Sequence, residues 1–397
     1  MNVIQKKSYE LLKEVDDICN ENDIEHYLGP TALGLAATYQ GHSADSINLD
    51  VIIPASEMQA FVDAVNKENR TDRTIDYMGN YKNHLSFTIE YVDKTTTFLN
   101  MKQGTDVSCY GVKVTLLPLR RDVKGFSGTW AGVLETGWEC NGYRFTKNIT
   151  VKRIIATGIV RIAMIVGKGR LARHLFKKLC KVYSGRSELV AFKRPKQKQF
   201  LVDGKYYDYP VNVTFEGRQF KAPSDFEAIL KAFYGPLWRE KLLSMNKAYS
   251  STIISSRVPY EDYLRECRDS GHDIRDLFDG NRRNMIDGAF VLKDFKAMKQ
   301  AILIAKRSGD RLHFYEEFQQ KREIIQNLYS NKNYDKLALI FAEHEEKTLF
   351  YLNKKLGFCV SKEYFDIQCD IFRYEGRGYI IDKLTKLIPE EHYKPIV

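Results

Sequence analysis

Apolar residues at alternating positions predict the strand around which the N-terminal part of the chain is organised. Between residues 47 and 53 every second residue is apolar, and Asn48 and Asp50 lie between them. Because side chains alternate across a strand, one face is expected to be buried and the other to carry both polar side chains. Before this strand, apolar residues at spacings of three and four predict an amphipathic helix over residues 4–24.

The patterns that follow alternate between strand and helix periodicity. Two alternating runs flank a turn at Asp93-Lys94 and predict a hairpin. A third run predicts a strand with Thr115 opposite its apolar residues. The full set comprises a small-residue loop at 29–34, a helix capped by Ser56, strands at 85–92, 95–101 and 112–119, an irregular loop or hairpin at 126–148, one or two helices within 151–183, and a helix capped by Ser224. Together they predict an α+β sheet with helices packed on one side.

The composition changes after residue 243, where a linker is predicted over residues 244–258. Helical periodicity with Gly or Asn-Lys-Asn breaks recurs over residues 259–397 and predicts an all-helical C-terminal domain. The predicted helices are 260–270, 285–308, 312–329, 334–356 and 361–373. No repeat signature recurs among them, so a helical solenoid is only weakly indicated.

The polar face of the predicted 47–53 strand is the first candidate for chemistry. Asn48 and Asp50 are two residues apart, which on a strand separates them by roughly 6.5–7 Å. The small-residue loop offers backbone amides nearby. Oxygen ligands beside such amides suit a divalent cation and the phosphates that it bridges. An Asp on a strand is also common as a solvated edge residue, so the pattern leaves both interpretations open.

Several blocks of the chain resemble the LicD family, whose relatives include fukutin and fukutin-related protein. The loop Gly29-Pro30-Thr31-Ala32-Leu33-Gly34 and the strand Ser46-Ile47-Asn48-Leu49-Asp50 are similar to the family's Gly-Thr-Leu-Leu-Gly loop and its acidic strand. The strand Gly111–Leu119 resembles the family's Ile-Asp-Ile-Phe-Pro-Leu strand. The most specific match is the block Phe215–Phe226 with Tyr234-Gly235 behind it. The resemblance covers roughly residues 8–243.

This resemblance implies a nucleotidyltransferase-like mixed sheet with packed helices. It implies a metal-dependent phosphotransferase that moves a phospho-alcohol, typically phosphocholine, from a cytidine diphosphate donor such as CDP-choline to a cell-surface glycan acceptor. By the same resemblance, the catalytic positions are Asp50, Asn48 and Thr115, with Asp50 and Asn48 as ligands of Mg²⁺ or Mn²⁺. The candidate substrate-binding positions are Gly29, Thr31, Gly34 and Lys113; Thr31 could instead be a helix N-cap, and Lys113 could be an ordinary surface charge.

The chain departs from the family pattern at its acidic positions. Asn48 and Thr115 replace two expected acids, Ser46 and Ile47 replace two more, and no Arg follows Gly34 before Tyr39. Neutral Asn and Thr oxygens bind a hard cation more weakly than carboxylates do. Three alternatives therefore stay open: an enzyme that uses other acids (Asp45, Glu90 and Asp122 are candidates), a catalytically impaired homologue acting as a binding or scaffold protein, and a nucleotidyltransferase that uses a nucleoside triphosphate.

The cysteine pattern, the N-terminus and the apolar runs indicate the cellular compartment in which the protein is expected. The seven cysteines are scattered and form no CxxC pair, which favours reduced thiols in the cytoplasm over a disulfide framework or a zinc site. The N-terminus is amphipathic and not typical of a signal peptide. No uninterrupted apolar run is long enough for a membrane span.

The net charge of +10 is concentrated in one amphipathic segment, residues 151–187, which contains ten Lys and Arg residues and no acid. This segment could lie on the anionic inner face of the cell membrane, or it could pack its apolar side on the sheet and leave a solvated basic side. We expect no nucleic-acid partner, because no recognition motif accompanies the charge. The oligomeric state is left open by the sequence.

Aromatic residues are frequent in the predicted 126–148 loop. Trp130, Trp138 and Tyr143 have rings that could stack on a base or a sugar. Packing beneath a long loop is the simpler interpretation of the same three residues.

Overall fold

A computed structural model describes residues 1–43, 46–80, 84, 86–100, 109–139, 151–167, 170–185, 188–192, 200–245, 252–269, 295–388 and 390–393. The described residues fall into two compact units. The first extends from Met1 to Tyr260, and the second takes up the described residues from Glu261 onward. No helix in the described ranges is long and apolar enough to cross a bilayer.

The first unit mixes strands and helices. Its strands are β1 Tyr27–Leu28, β2 Leu49–Pro54, β3 Arg73–Tyr77, β4 Ile89–Asp93, β5 Thr97–Asn100, β6 Lys113–Arg121, β7 Leu189–Phe192, β8 Phe200–Asp203, β9 Val211–Phe215, β10 Arg218–Ala222 and β11 Thr252–Ser255. Its helices are α1 Val3–Glu21, α2 Pro30–Tyr39, α3 Met58–Glu68, α4 Gly125–Glu139, α5 Val151–Gly167, α6 Arg170–Val182, α7 Phe226–Tyr234 and α8 Trp238–Met245, with a 3₁₀ turn at Gly204–Tyr207. Helix α9, Tyr260–Asp269, begins at the boundary between the units.

Strands β1 to β4, β6, β7 and β8 form one curled mixed sheet. The order is β1-β2-β6-β4-β3, and β7 and β8 extend from the far end of β6. The pairing of β2 with β6 is parallel, whereas β1 with β2, β4 with β6 and β3 with β4 are antiparallel. The observed mixed sheet with packed helices confirms the coarse fold class predicted from the sequence.

One face of this sheet is buried under helices, as the alternating pattern predicted. Leu49, Val51 and Ile53 of β2 are at most 2% exposed, and they share a core with Val114 and Leu116 of β6 and with apolar residues of α1 and α3. Because apolar area removed from water is the main stabilising term in folding, this core fixes which face of each strand is left for polar side chains.

Four predictions about elements of the first unit are wrong. The predicted hairpin does not form: β5 pairs with β11, which lies within the predicted linker. The predicted 126–148 loop is helical over Gly125–Glu139. Helix α7 is capped by the side chain of Asp225, while the hydroxyl of Ser224 donates to the Tyr206 carbonyl. Ser56 precedes α3 without capping it.

The second unit is helical, as predicted. After α9 it contains α10 Phe295–Ser330, α11 Tyr334–Asn353, α12 Lys362–Tyr374, α13 Tyr379–Thr385 and a 3₁₀ turn at Glu390–Tyr393. The break predicted between residues 308 and 312 does not occur, because α10 runs through Gly309 as one helix of 36 residues. The six cysteines in the described ranges of both units are buried free thiols, whereas Cys140 lies outside those ranges.

A buried histidine makes the stability of the second unit depend on pH. His344 is 1% exposed, and its Nδ1 accepts from the Gln368 amide at 3.1 Å. Burial lowers the pKa of His344 from 6.5 to about 3. Below pH 6.5, His344 therefore binds a proton in the unfolded chain but not in the folded chain. The stability is thus full above pH 6.5 and falls as the pH drops toward the folded pKa.

We expect urea titrations to show this loss as a slope that approaches about 1.4 kcal/mol per pH unit once the pH is about one unit or more below 6.5. His344→Gln removes this titration, so its pH slope should be smaller than that of the native chain by one proton. Substituting the exposed His313 with Gln is the matched control. Equal slopes in the native chain and His344→Gln would contradict the assignment.

Candidate functional site

A row of polar side chains crosses the sheet on the face opposite the helical core. Asp50 of β2 lies directly opposite Thr115 of β6, and Thr115 lies opposite Glu90 of β4. Glu90 is in turn opposite Asp76 of β3. Residues directly opposite on paired strands project to the same side of a sheet. We call Asp50, Thr115, Glu90 and Asp76 the polar row.

Asp50 is held by the first turn of α2. Its Oδ1 accepts from the Thr31 and Ala32 amides at 2.8 and 2.9 Å, and its Oδ2 accepts from the Thr31 hydroxyl at 2.8 Å. A carboxylate at this position satisfies amides that the helix itself cannot bond, and it is favoured by the helix dipole. The side chain is only 6% exposed. Asp50 thus caps α2 from 19 residues away in sequence.

The predicted small-residue loop at 29–34 is therefore largely helix. Pro30 is the first residue of α2, where a missing N–H costs nothing. Gly29 lies against Asp50: a Cβ there would come within 2.6 Å of the Asp50 Cγ, so any larger residue would displace the carboxylate. Gly34 faces Leu242, whose Cδ2 would lie 3.0 Å from an added Cβ. Close packing explains both glycines, whereas the sequence suggested a phosphate loop.

Thr115 and Glu90 form the middle of the row, and Lys113 lies beside Glu90. The Thr115 hydroxyl donates to Glu90 Oε2 at 2.7 Å, and Lys113 Nζ lies 3.4 Å from the same oxygen. Glu90 therefore supplies a carboxylate beside Thr115. Lys113, predicted to bind substrate, contacts Glu90.

Asn48 is exposed and precedes Asp50 by two residues, immediately before β2 begins. Of the other acids considered from the sequence, Asp122 follows the far end of β6, seven residues beyond Thr115 and about 23 Å away along an extended chain. Asp45 lies outside the described residues. The strand register thus brings Asp50, Thr115 and Glu90 together, with Asn48 two residues before Asp50 in the chain, and leaves Asp122 apart.

The opposite end of the row contains a buried cluster of polar side chains that the sequence did not reveal. His84 Nδ1 lies 3.2 Å from Asp76 Oδ1, and His84 Nε2 lies 3.3 Å from both Ser86 Oγ and Thr88 Oγ1. Trp138 Nε1 donates to the His84 carbonyl at 2.5 Å, so this tryptophan has a packing role. Trp130 is 41% exposed on α4, and Tyr143 lies outside the described residues. No sequence motif joins these residues; only the pairing of β3 with β4 does.

The row offers oxygen atoms of the type that Mg²⁺ and Mn²⁺ prefer: the Asn48 amide, the carboxylates of Asp50 and Glu90, and the Thr115 hydroxyl. Within the described ranges, however, no group of three or more His, Cys, Asp or Glu residues could hold an ion. Three hydrogen-bond donors of α2 already bind the Asp50 carboxylate, and the positive charge of Lys113 offsets the negative charge of Glu90. The donor chemistry fits a hard divalent cation, and the small net charge predicts weak affinity.

A cavity of about 820 Å³ lies at the other end of β2 and β6. Pro54 and Leu119 line it, together with Tyr183 and Tyr207. Between the cavity and the polar row, Ile52 and Leu117 are covered by an apolar cluster that includes residues of β7, β8 and α7. The cavity is therefore separate from the row.

Comparison with known proteins adds no assignment. No protein-family model matches the chain, and a search of curated proteins finds no match.

Proposed function

We propose that the chain is a LicD-like phosphotransferase on a nucleotidyltransferase-like sheet. It would move a phospho-alcohol, such as phosphocholine, from a cytidine diphosphate donor to a hydroxyl of a cell-surface glycan. The observation that supports this proposal is the register that places Asp50, Thr115 and Glu90 opposite one another on three adjacent strands. Asn48, two residues before Asp50, is exposed and would be the first of these residues to meet a donor.

In this proposal the donor's diphosphate lies against Asn48 and Thr115, and Lys113 offers it a positive charge. A bound Mg²⁺ or Mn²⁺ would supply charge neutralisation at the phosphate oxygens. Asp50 and Asn48 are the residues that would hold the ion. The acceptor hydroxyl attacks the phosphorus next to the alcohol, the bond to the bridging oxygen breaks, and cytidine monophosphate leaves with the electron pair. Glu90, which accepts a hydrogen bond from the Thr115 hydroxyl, would take the proton of the attacking acceptor hydroxyl.

A second candidate function is phosphate-ester binding without transfer. It is favoured by the hydrogen bonds that commit Asp50 to capping α2, and by the ion pair of Glu90 with Lys113. Such a protein would hold its ligand and leave it unchanged. The nucleotidyltransferase alternative would consume a nucleoside triphosphate and release pyrophosphate, so the released product distinguishes it.

The test is ³¹P NMR of CDP-choline incubated with the protein, Mn²⁺ and a hydroxyl acceptor. The native chain should release cytidine monophosphate slowly, and Asn48→Asp should raise the rate by about tenfold, equivalent to about 1.4 kcal/mol of added charge stabilisation. Asn66→Asp, an equal charge change at an exposed position of α3, should leave the rate unchanged. Binding without any product in the native chain and Asn48→Asp would support the binding protein instead.

A further inference from the structure

Large apolar side chains are exposed along α4 and α5. On α5 they recur at spacings of three, four and seven, so they share one side of the helix. On α4, Phe126 and Trp130 are four residues apart, and their rings meet edge to face with centroids 5.9 Å apart. We call this set the apolar face: Phe126, Trp130, Val151, Ile154, Ile155 and Ile162, which are 41–79% exposed.

The two helices that carry the apolar face pack against each other through a glycine. A Cβ at Gly137 of α4 would lie 2.2 Å from the Ala156 carbonyl oxygen and 2.7 Å from a Val160 methyl, so only glycine permits this approach. Ala156 and Val160 are at most 1% exposed. The inner sides of α4 and α5 are therefore occupied by each other, and the apolar face is not their mutual contact.

Helix α6, which packs against α4 and α5, has a solvent side made only of basic residues. Its buried positions are Ala172, Leu175, Phe176, Leu179 and Cys180. We call its exposed positions the basic face: Arg170, Arg173, His174, Lys177, Lys178 and Lys181. None of these six forms an ion pair with an acid in the described part of the chain. An unbroken basic surface of this kind attracts an anionic counterpart.

We propose that α4, α5 and α6 dock on an anionic lipid surface. Exposed Phe, Trp, Val and Ile side chains enter the boundary between headgroups and acyl chains, and the lysines and arginines of α6 attract the anionic headgroups. A folded protein partner would need acids matched to particular lysines, whereas a lipid surface needs only basic charge and exposed apolar side chains on helices that pack together. This inference does not depend on the proposed phosphotransferase activity.

Trp130 provides a direct readout of docking. The other two tryptophans, Trp138 and Trp238, are each 1% exposed and should respond little. With vesicles of phosphatidylcholine containing about 30% phosphatidylserine, we expect a blue shift of the tryptophan emission and quenching by lipids brominated along the acyl chain. Phosphatidylcholine vesicles alone should give a much smaller response. Absence of a shift and of co-flotation with anionic vesicles would overturn the proposal.

Two paired variants test the two parts of the surface. Lys177→Glu with Lys178→Glu should weaken vesicle binding at least roughly 25-fold, at about fivefold per lysine. Ile154→Ser with Ile155→Ser should weaken it while leaving the fold intact, because both side chains are exposed. Binding that survives both double variants would overturn the proposal.

Two control variants change exposed residues of α11, which is not part of the proposed docking surface. Leu339→Ser removes a side chain that is 78% exposed on α11, and Lys336→Glu reverses an exposed charge on the same helix. Both should bind vesicles like the native chain. If Ile154→Ser with Ile155→Ser instead converts a dimer to a monomer without affecting vesicle binding, the apolar face is a contact between copies and the lipid assignment is wrong.

Discussion

Replacing Asp50 with alanine is expected to lower the free energy of unfolding by about 3 kcal/mol, because two amides of α2 and the Thr31 hydroxyl lose their acceptor in a buried site. Equilibrium urea unfolding measures this loss directly. Asn48→Ala removes an exposed polar side chain at the same end of the face, and it should change the free energy of unfolding by less than about 0.5 kcal/mol.

Asp50→Asn separates the structural role of this residue from its proposed chemical role. The asparagine Oδ1 can still accept from the Thr31 and Ala32 amides, and its amide group can donate to the Thr31 hydroxyl, so most of the stability should return. The negative charge is lost, so metal-dependent binding of the donor should be lost in both variants. If Asp50→Asn unfolds as easily as Asp50→Ala, the capping explanation fails.

Replacing Glu266 with alanine should destabilise the second unit by about 3–5 kcal/mol, because it leaves two buried arginines without their counter-charge. Arg311 Nη1 lies 2.8 Å from Glu266 Oε1, Arg307 Nη2 lies 4.0 Å away, and His392 Nε2 lies 3.1 Å away. All four side chains are at most 10% exposed. Thermal and urea unfolding of the full chain should both show the loss.

The exposed pair Arg322–Glu363 is the control for this prediction. Its side chains are 48% and 38% exposed, so Glu363→Ala should cost at most about 1 kcal/mol. Burial alone would raise the pKa of Glu266, but His392 and the two arginines outweigh it and lower that pKa. The stabilisation from Glu266 is therefore present above pH 4.5 and is lost as the pH falls through the lowered value. Equal losses in Glu266→Ala and Glu363→Ala would contradict the role of the buried cluster.

Strands whose apolar residues alternate could be predicted from the sequence. The pattern of β2 and β6 assigns Asp50 and Thr115 to the polar sides of their strands, and the structure confirms this because Leu49, Val51, Val114 and Leu116 are buried in the core. Burial of one face selects the orientation of every residue in a strand, so local pattern is sufficient here.

Elements decided by distant contacts could not be predicted. The sequence of α2 contains glycine and proline and therefore predicts a loop. The helix forms because Asp50, on another element, caps its first turn. The sequence of α4 predicts an irregular segment, but the close contact of Gly137 with Ala156 and the burial of Trp138 stabilise a helix there. The partner of β5 is β11, more than 150 residues away, and no local signal reports it.

In the candidate site, too, local pattern predicts some features and distant contacts decide the others. Asn48 and Asp50 could be identified from one strand, whereas the placement of Glu90 beside Thr115 depends on strand order, which a single sequence does not reveal. No sequence motif marks His84 and Asp76 as partners. A histidine and an aspartate on neighbouring segments come together only when β3 pairs with β4.

The central claim is that the polar row binds the phosphates of a cytidine diphosphate donor with the help of a divalent cation. Isothermal titration calorimetry of the full chain with CDP-choline, with and without Mn²⁺, tests it most directly. We expect binding that requires Mn²⁺, is strengthened in Asn48→Asp, and is lost in Asp50→Asn while the fold is retained. No binding in the native chain or Asn48→Asp, or binding unaffected by Mn²⁺ and by Asp50→Asn, would contradict the claim.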